Sequence, residues 1–95
     1  MSVRAYRVFN DEVKSQSSFN CWHDNKFFNF LLSGEGTHDG TTLDGVGTIV
    51  VPVKRVREAL DNPGLDMSDS ARDYVKKDIE WADDNLQESI EYECL

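Results

Sequence analysis

Apolar and polar residues alternate at the start of the chain. Val3, Ala5, Arg7 and Phe9 fall on one face, and Arg4, Tyr6 and Val8 on the other. A period of two is that of a pleated strand, so Val3–Phe9 is expected to be one. The same period returns at the end of the chain, where Ile90, Tyr92 and Cys94 oppose Glu91 and Glu93 across Ser89–Leu95. This predicts a terminal strand paired beside the first, setting Arg4 or Arg7 against Glu91 or Glu93. Thr48-Ile49-Val50-Val51 is continuous and β-branched, the pattern of a strand buried on both faces, and Pro52 closes it.

Helical periods fill the intervals. From Ser68 to Glu88, Ala71, Val75, Ile79, Ala82 and Leu86 recur at spacings of three and four, an apolar stripe along one long helix. Asp66, Ser68 and Ser70 are competent caps for it, and Asp69 and Asp73 suit the positive end of its dipole. Val53–Leu60 reads as a short helix with Val53, Val56 and Leu60 inward and Lys54, Arg55, Arg57 and Glu58 outward. The aromatic run Phe19–Leu32 has two readings. One is a helix over Asn25–Ser33 with Asp24 as N-cap and Gly34 in a left-handed C′ position; the other is a hairpin turning at His23–Lys26. Asn10–Ser18 and Gly34–Gly47 read as loops, the second about 14 residues long and holding five of the six glycines. Such a loop is either a flexible surface segment or one that orders against a partner.

The expected fold is therefore α+β: a small, mostly antiparallel sheet of about three strands, packed against one long C-terminal helix plus one or two short helices. With 95 residues the chain forms a single domain over 1–95. It buries only about 60% of its unfolded surface, and its ten aromatics enlarge a modest core. No run reaches the ~20 apolar residues of a membrane span, and Met1–Arg7 lacks the apolar stretch of a secretory signal. Two cysteines, Cys21 and Cys94, do not make a disulfide framework. A cytoplasmic protein with reduced thiols is the expectation, and a Cys21–Cys94 bridge requires a fold that brings the two together.

Charge changes the picture most. From Met1 to Leu60 seven acids meet seven bases; from Asp61 to Leu95 eleven acids meet only Arg72, Lys76 and Lys77. The whole net charge of −8 thus falls in the last third. That asymmetry opposes direct binding to nucleic-acid phosphates or anionic membranes and favours a basic partner. Projected on a helix, Asp69, Asp73, Glu80, Asp84 and Glu88 share a sector of about 100°, with neighbours roughly 6 Å apart along the axis where four residues separate them. Adjacent phosphates on one nucleic-acid strand are about 7 Å apart by duplex geometry, so the row can imitate a phosphate backbone. The competing reading is a solvated helix face softened by Asp73–Lys77 and Lys76–Glu80 pairs. Tyr74 and Trp81 project together beside the row, either packing under the sheet or serving as aromatic anchors at an interface.

Other constellations are weaker. Cys21, His23 and His38 with Asp24 and Asp39 lack any regular metal-ligand spacing. A Cys21–His23 nucleophilic pair needs a reach that spacing does not establish. The glycine-rich segment carries neither phosphate-loop nor dinucleotide signature, and Glu35, Asp39 and Asp44 do not follow the EF-hand order. Lys54, Arg55 and Arg57 are too few for a nucleic-acid footprint and pair either with the acidic helix or across a homodimer. The expected function is a non-enzymatic, cofactor-free acidic binding or regulatory protein. It would inhibit a nucleic-acid-handling partner by occupying its cationic groove, as small acidic regulators of viruses and mobile elements do by analogy. The partner-binding residues are then Asp69, Asp73, Glu80, Asp84, Glu88, Tyr74 and Trp81. The alternatives are a self-associating structural or adaptor protein and, behind it, a small Cys/His enzyme or metal protein.

Overall fold

The three runs with the clearest strand patterns lie side by side at the centre of one sheet. A computed structural model describes residues 3–10 and 12–95, so Met1, Ser2 and Asp11 lie outside the described residues, and with them part of the N-terminal and Asn10–Ser18 readings. The strands are β1 (Arg4–Phe9), β2 (Glu12–Val13), β3 (Phe19–Asn20), β4 (His38–Thr41), β5 (Gly47–Pro52) and β6 (Ser89–Cys94). Their order is β2-β1-β6-β5-β4, with β3 also on β1, and every pairing is antiparallel. The helices are α1 (Asn25–Leu32), α2 (Val53–Leu60) and α3 (Asp69–Asp84), with a 3₁₀ turn at Pro63–Leu65. The α+β class and the antiparallel sheet stand as expected. The sheet has six strands rather than about three, because two-residue pairings and a polar edge strand leave no hydrophobic period to read.

Register decides which side chains meet the helices. Ala5 pairs with Cys94 and Arg7 with Tyr92, while Ile49 flanks Tyr92 from the other side. Ala5, Ile49, Val51, Ile90, Tyr92 and Cys94 are fully buried on this face. Phe27 and Leu31 of α1, Val56 and Ala59 of α2, and Val75 and Ala82 of α3 close the core over them. Each large side chain buried this way contributes about 1.5–3 kcal/mol. Phe19 lies edge-on to both Phe27 and Tyr92, with ring centroids 4.9 and 5.1 Å apart, and joins α1 to the sheet. Glu91 and Glu93 face the opposite side, where Glu93 accepts from the Thr48 hydroxyl at 2.7 Å. Neither forms an ion pair with Arg4 or Arg7 among the described residues, and Arg7 turns to the helix side instead.

The segment expected to be a long glycine-rich loop is a hairpin. Its β4 strand pairs His38 with Val50 through Thr41 with Gly47, around a turn closed by Thr42 N–H to the Val46 carbonyl at 2.9 Å. Gly47 has φ 142°, and a Cβ there would sit 2.5 Å from the Gly40 carbonyl oxygen, so glycine permits the close strand approach. Asp39 Oδ1 accepts from the Thr41 amide at 2.9 Å, which covers one donor of the open edge.

Two expected caps are also replaced. Phe19–Leu32 folds mainly as the helix α1, but Asp24 makes no side-chain cap to it. Its carboxylate is buried and accepts instead from the Asn20 amide at 3.2 Å and the Ser68 amide at 3.0 Å, so it ties the start of α1 to the start of α3. Gly34 does not enter the left-handed region. It makes room for Arg55, whose guanidinium donates twice to the Phe30 carbonyl, at 3.0 and 2.8 Å, and lies 3.6 Å from the Phe30 ring centroid. A cation from α2 thus closes the negative end of α1.

Helix α3 stops at Asp84, a turn before the end its apolar stripe predicts. The terminus is a Schellman motif: Gln87 N–H donates to the Ala82 carbonyl at 2.8 Å and Leu86 N–H to the Asp83 carbonyl at 3.3 Å. Leu86 therefore takes the left-handed C′ position, with φ 55°, and is 90% exposed rather than inward. A leucine there loses about 1 kcal/mol relative to glycine, which has no Cβ to crowd the preceding turn. Leu86→Gly is expected to raise the unfolding free energy by about 1 kcal/mol in urea denaturation.

Candidate functional site

Helix α3 begins where its sequence signals place it. Ser68 Oγ accepts from the Ala71 amide at 3.3 Å and Asp69 lies in the first turn. The stripe Ala71, Val75, Ile79 and Ala82 is buried, which turns the opposite side outward. Asp69, Asp73, Glu80 and Asp84 are all exposed on that side. They share a sector of about 60° and span roughly 22 Å of helix, with intervals near 6, 10.5 and 6 Å. Glu88 is exposed as well but lies beyond the helix, where its carbonyl accepts from Val53 N–H at 2.9 Å. It continues the acidic surface without the helical geometry.

Of the eleven acids after Leu60, three are held in ion pairs among the described residues: Asp66 by Lys26, Asp78 by Arg7 and Lys14, and Asp83 by Arg57. Among the described residues none of Asp69, Asp73, Glu80, Asp84 and Glu88 makes an ion pair, and neither Asp73–Lys77 nor Lys76–Glu80 forms. Lys77 instead has its Nζ 5.5 Å from the Tyr74 ring centroid. Two members of the small basic cluster are used inside the fold, Arg55 on α1 and Arg57 on Asp83, while Lys54 is exposed.

Tyr74 and Trp81 are half-buried beside this face. Trp81 lies edge-on to Phe9 at 5.1 Å and under the Arg7 guanidinium at 3.9 Å, so it widens the contact of α3 with the sheet. Tyr74 receives a hydrogen bond from Gln16 and forms part of the wall of a polar cleft of about 570 Å³ between β1, residues 15–20 and the start of α3.

The inward side of α3 holds a group that the apolar pattern concealed. Asp78 is fully buried. Its Oδ1 accepts from Arg7 Nε at 3.2 Å and Lys14 Nζ at 3.4 Å; its Oδ2 accepts from the Tyr92 hydroxyl at 2.9 Å and from the Ser18 hydroxyl. Two cations and two hydroxyls converge on one carboxylate, as a buried charge requires. The spacing Ala71-Val75-Asp78-Ala82 places Asp78 on the stripe and is the signal that could have found it.

Burial, with the neighbouring Asp78 carboxylate adding to it, pushes the Tyr92 phenol well above its usual range. The unfolded chain releases that proton near pH 10 while the folded chain retains it. Stability is therefore complete below about pH 10 and falls as pH rises beyond it. Denaturation midpoints measured from pH 8 to 11 should show this decline, and Tyr92→Phe should flatten it.

The Cys/His candidates do not assemble. Cys21 and Cys94 are free and buried, whereas His23 and His38 are exposed, the latter on the edge strand β4. Among the described residues no three or more His, Cys, Asp or Glu side chains are grouped closely enough to hold a metal. A hydrogen bond with Cys94 and burial push the Cys21 thiol up, which keeps it protonated and a poor nucleophile. No helix is long and apolar enough to cross a membrane among the described residues. Comparison with known proteins gives no match: no family model, no curated protein and no solved structure matches this chain.

Proposed function

We propose that the chain is a non-enzymatic acidic binding protein that inserts the outward face of α3 into the cationic groove of a nucleic-acid-handling protein and blocks it. The observation that carries this reading is the set Asp69, Asp73, Glu80 and Asp84: exposed, collinear on one 16-residue helix and in no ion pair among the described residues, with exposed Lys76 and Lys77 flanking the gap between Asp73 and Glu80. A rigid row of carboxylates presents its charge with little ordering cost, and a groove built for phosphates offers Lys and Arg at comparable intervals. Association is electrostatically steered, hence fast and strongly salt-dependent. Glu88 extends the contact at its C-terminal end, Tyr74 borders it on one side, and Trp81 holds α3 against the sheet. Self-association is the second reading, with less to support it, because both aromatics beside the row are engaged within the chain.

The test is capture of heparin-binding proteins from lysate of the native host on the immobilised chain, in parallel with the combined variant Asp73→Lys, Glu80→Lys, Asp84→Lys. The reading expects a nucleic-acid-binding protein retained by the wild type, released by moderate salt, and absent from the variant. Equal retention by both, or retention indifferent to salt, contradicts it.

A further inference from the structure

Among the described residues six large hydrophobic side chains stand markedly exposed, and four of them stand at one end of the sheet: Trp22, Leu43, Val46 and Leu95. Leu43 and Val46 belong to the tip of the β4–β5 hairpin. Trp22 precedes α1 and reaches that tip, its Nε1–H donating to the Asp44 carbonyl at 3.1 Å. Gly47 pairs with Cys94, so Leu95 stands at the same end of the sheet, but it is paired with Arg4 and faces away from the helices. Beneath the tip, Phe28 and Leu32 of α1 with Asp39, Thr41 and Thr42 of the hairpin wall a shallow groove of about 530 Å³, and Leu43 stands at its rim. Single exposed apolar residues are ordinary, but a cluster that continues into a groove marks an interaction surface.

The details favour a protein partner. Leu43 is 107% exposed at a turn where a polar residue would serve the hairpin equally well, so its side chain contributes nothing to folding. Trp22 is half-exposed yet held by its indole hydrogen bond, and an aromatic ordered in advance loses little entropy when covered. The charge on the hairpin has one sign. It carries Asp39 and Asp44, both exposed, and no Lys or Arg, whereas the exposed Arg4 pairs with Leu95 on the face turned away from the helices. Asp39 and Asp44 lie on either side of Leu43 along the hairpin. A second copy would bring acid against acid, and an anionic lipid surface is repelled for the same reason.

We infer that this end of the sheet is a second docking surface, distinct from the α3 row, for a protein that projects an apolar side chain flanked by Lys or Arg. The apolar side chain enters the groove beside Leu43 and Trp22, and the flanking cations meet Asp39 and Asp44. The inference does not depend on the reading of α3, since it uses none of the same residues.

Three synthetic peptides test it, each with the same central Leu-Phe pair and flanked by four lysines, four serines or four glutamates. They are titrated into the isotopically labelled chain and followed by amide and indole NMR shifts. The lysine peptide is expected to shift the Trp22 indole and the amides of residues 42–46 saturably, at least tenfold more tightly than the serine peptide, with no response to the glutamate peptide. Leu43→Asp, at a fully exposed position, should weaken the lysine peptide at least tenfold. The variant Asp73→Lys, Glu80→Lys, Asp84→Lys should leave its affinity within twofold, which separates this surface from the α3 row. Shifts centred on α3, equal binding of all three peptides, or no shift with any of them would overturn the inference. So would shifts at residues 42–46 that follow the chain's own concentration without peptide, which would assign the surface to self-association.

Discussion

Asp78→Ala is expected to lower the unfolding free energy by about 3 kcal/mol, at the lower end of the cost of removing one partner from a buried ion pair. Four donors lose their acceptor together: Arg7, Lys14, Ser18 and Tyr92. The Ser18 and Tyr92 hydroxyls are buried, at about 1–3 kcal/mol for each group left unsatisfied. Arg7 and Lys14 keep part of their surface in solvent, which moderates their loss. For a domain with 5–15 kcal/mol of total stability this is a large fraction, and the melting temperature should fall on the order of 15 °C. Asp78→Asn keeps one acceptor and should fall between wild type and alanine. Lys14→Met should cost under about 1 kcal/mol, because its ammonium is already part hydrated. Hydrogen exchange should show residues 12–20 opening first, since Lys14 and Ser18 fasten that segment to α3. An alanine variant within about 0.5 kcal/mol of wild type would show that the network does not hold the segment.

What could be read in advance follows from what burial leaves in the sequence. Val3–Phe9, Thr48–Val51 and Ser89–Leu95 carry strand periods because one or both of their faces are covered, and they became β1, β5 and β6. Val53–Leu60 was legible for the same reason. The strand β4 was not: His38-Asp39-Gly40-Thr41 lies at an open edge, its pairing is backbone to backbone, and nothing in its side chains records it. The end of α3 was missed because Leu86 continues the stripe in spacing but occupies the left-handed cap. The acidic row was legible as a helical projection, since it needs only one element. The Asp78 network was not, because its donors lie 71, 64, 60 and 14 residues away and only the folded sheet assembles them.

Reversal of Asp73, Glu80 and Asp84 to lysine is expected to weaken the partner at least 100-fold. Each reversal replaces an attraction with a repulsion in the same groove, and about 1 kcal/mol per position suffices, since 1.4 kcal/mol is tenfold. Most of the loss should appear in the association rate, because the row steers the encounter. The three side chains are exposed and make no ion pair among the described residues, so the fold should be unaffected or slightly stabilised as like charges are relieved. Kinetics by surface plasmon resonance against the captured protein, with melting curves on the same samples, separate lost binding from lost folding. A variant that binds normally removes α3 from the interface.

If the chain acts as proposed, the α3 face and nucleic acid compete for one groove. The direct measurement is displacement: the captured partner is loaded with a fluorescent duplex, and the chain is titrated in while anisotropy is recorded. Full release of the duplex by the wild-type chain is expected, at concentrations that rise steeply with salt, with no release by the lysine variant. A ternary complex, in which the chain binds while the duplex stays bound, would contradict it.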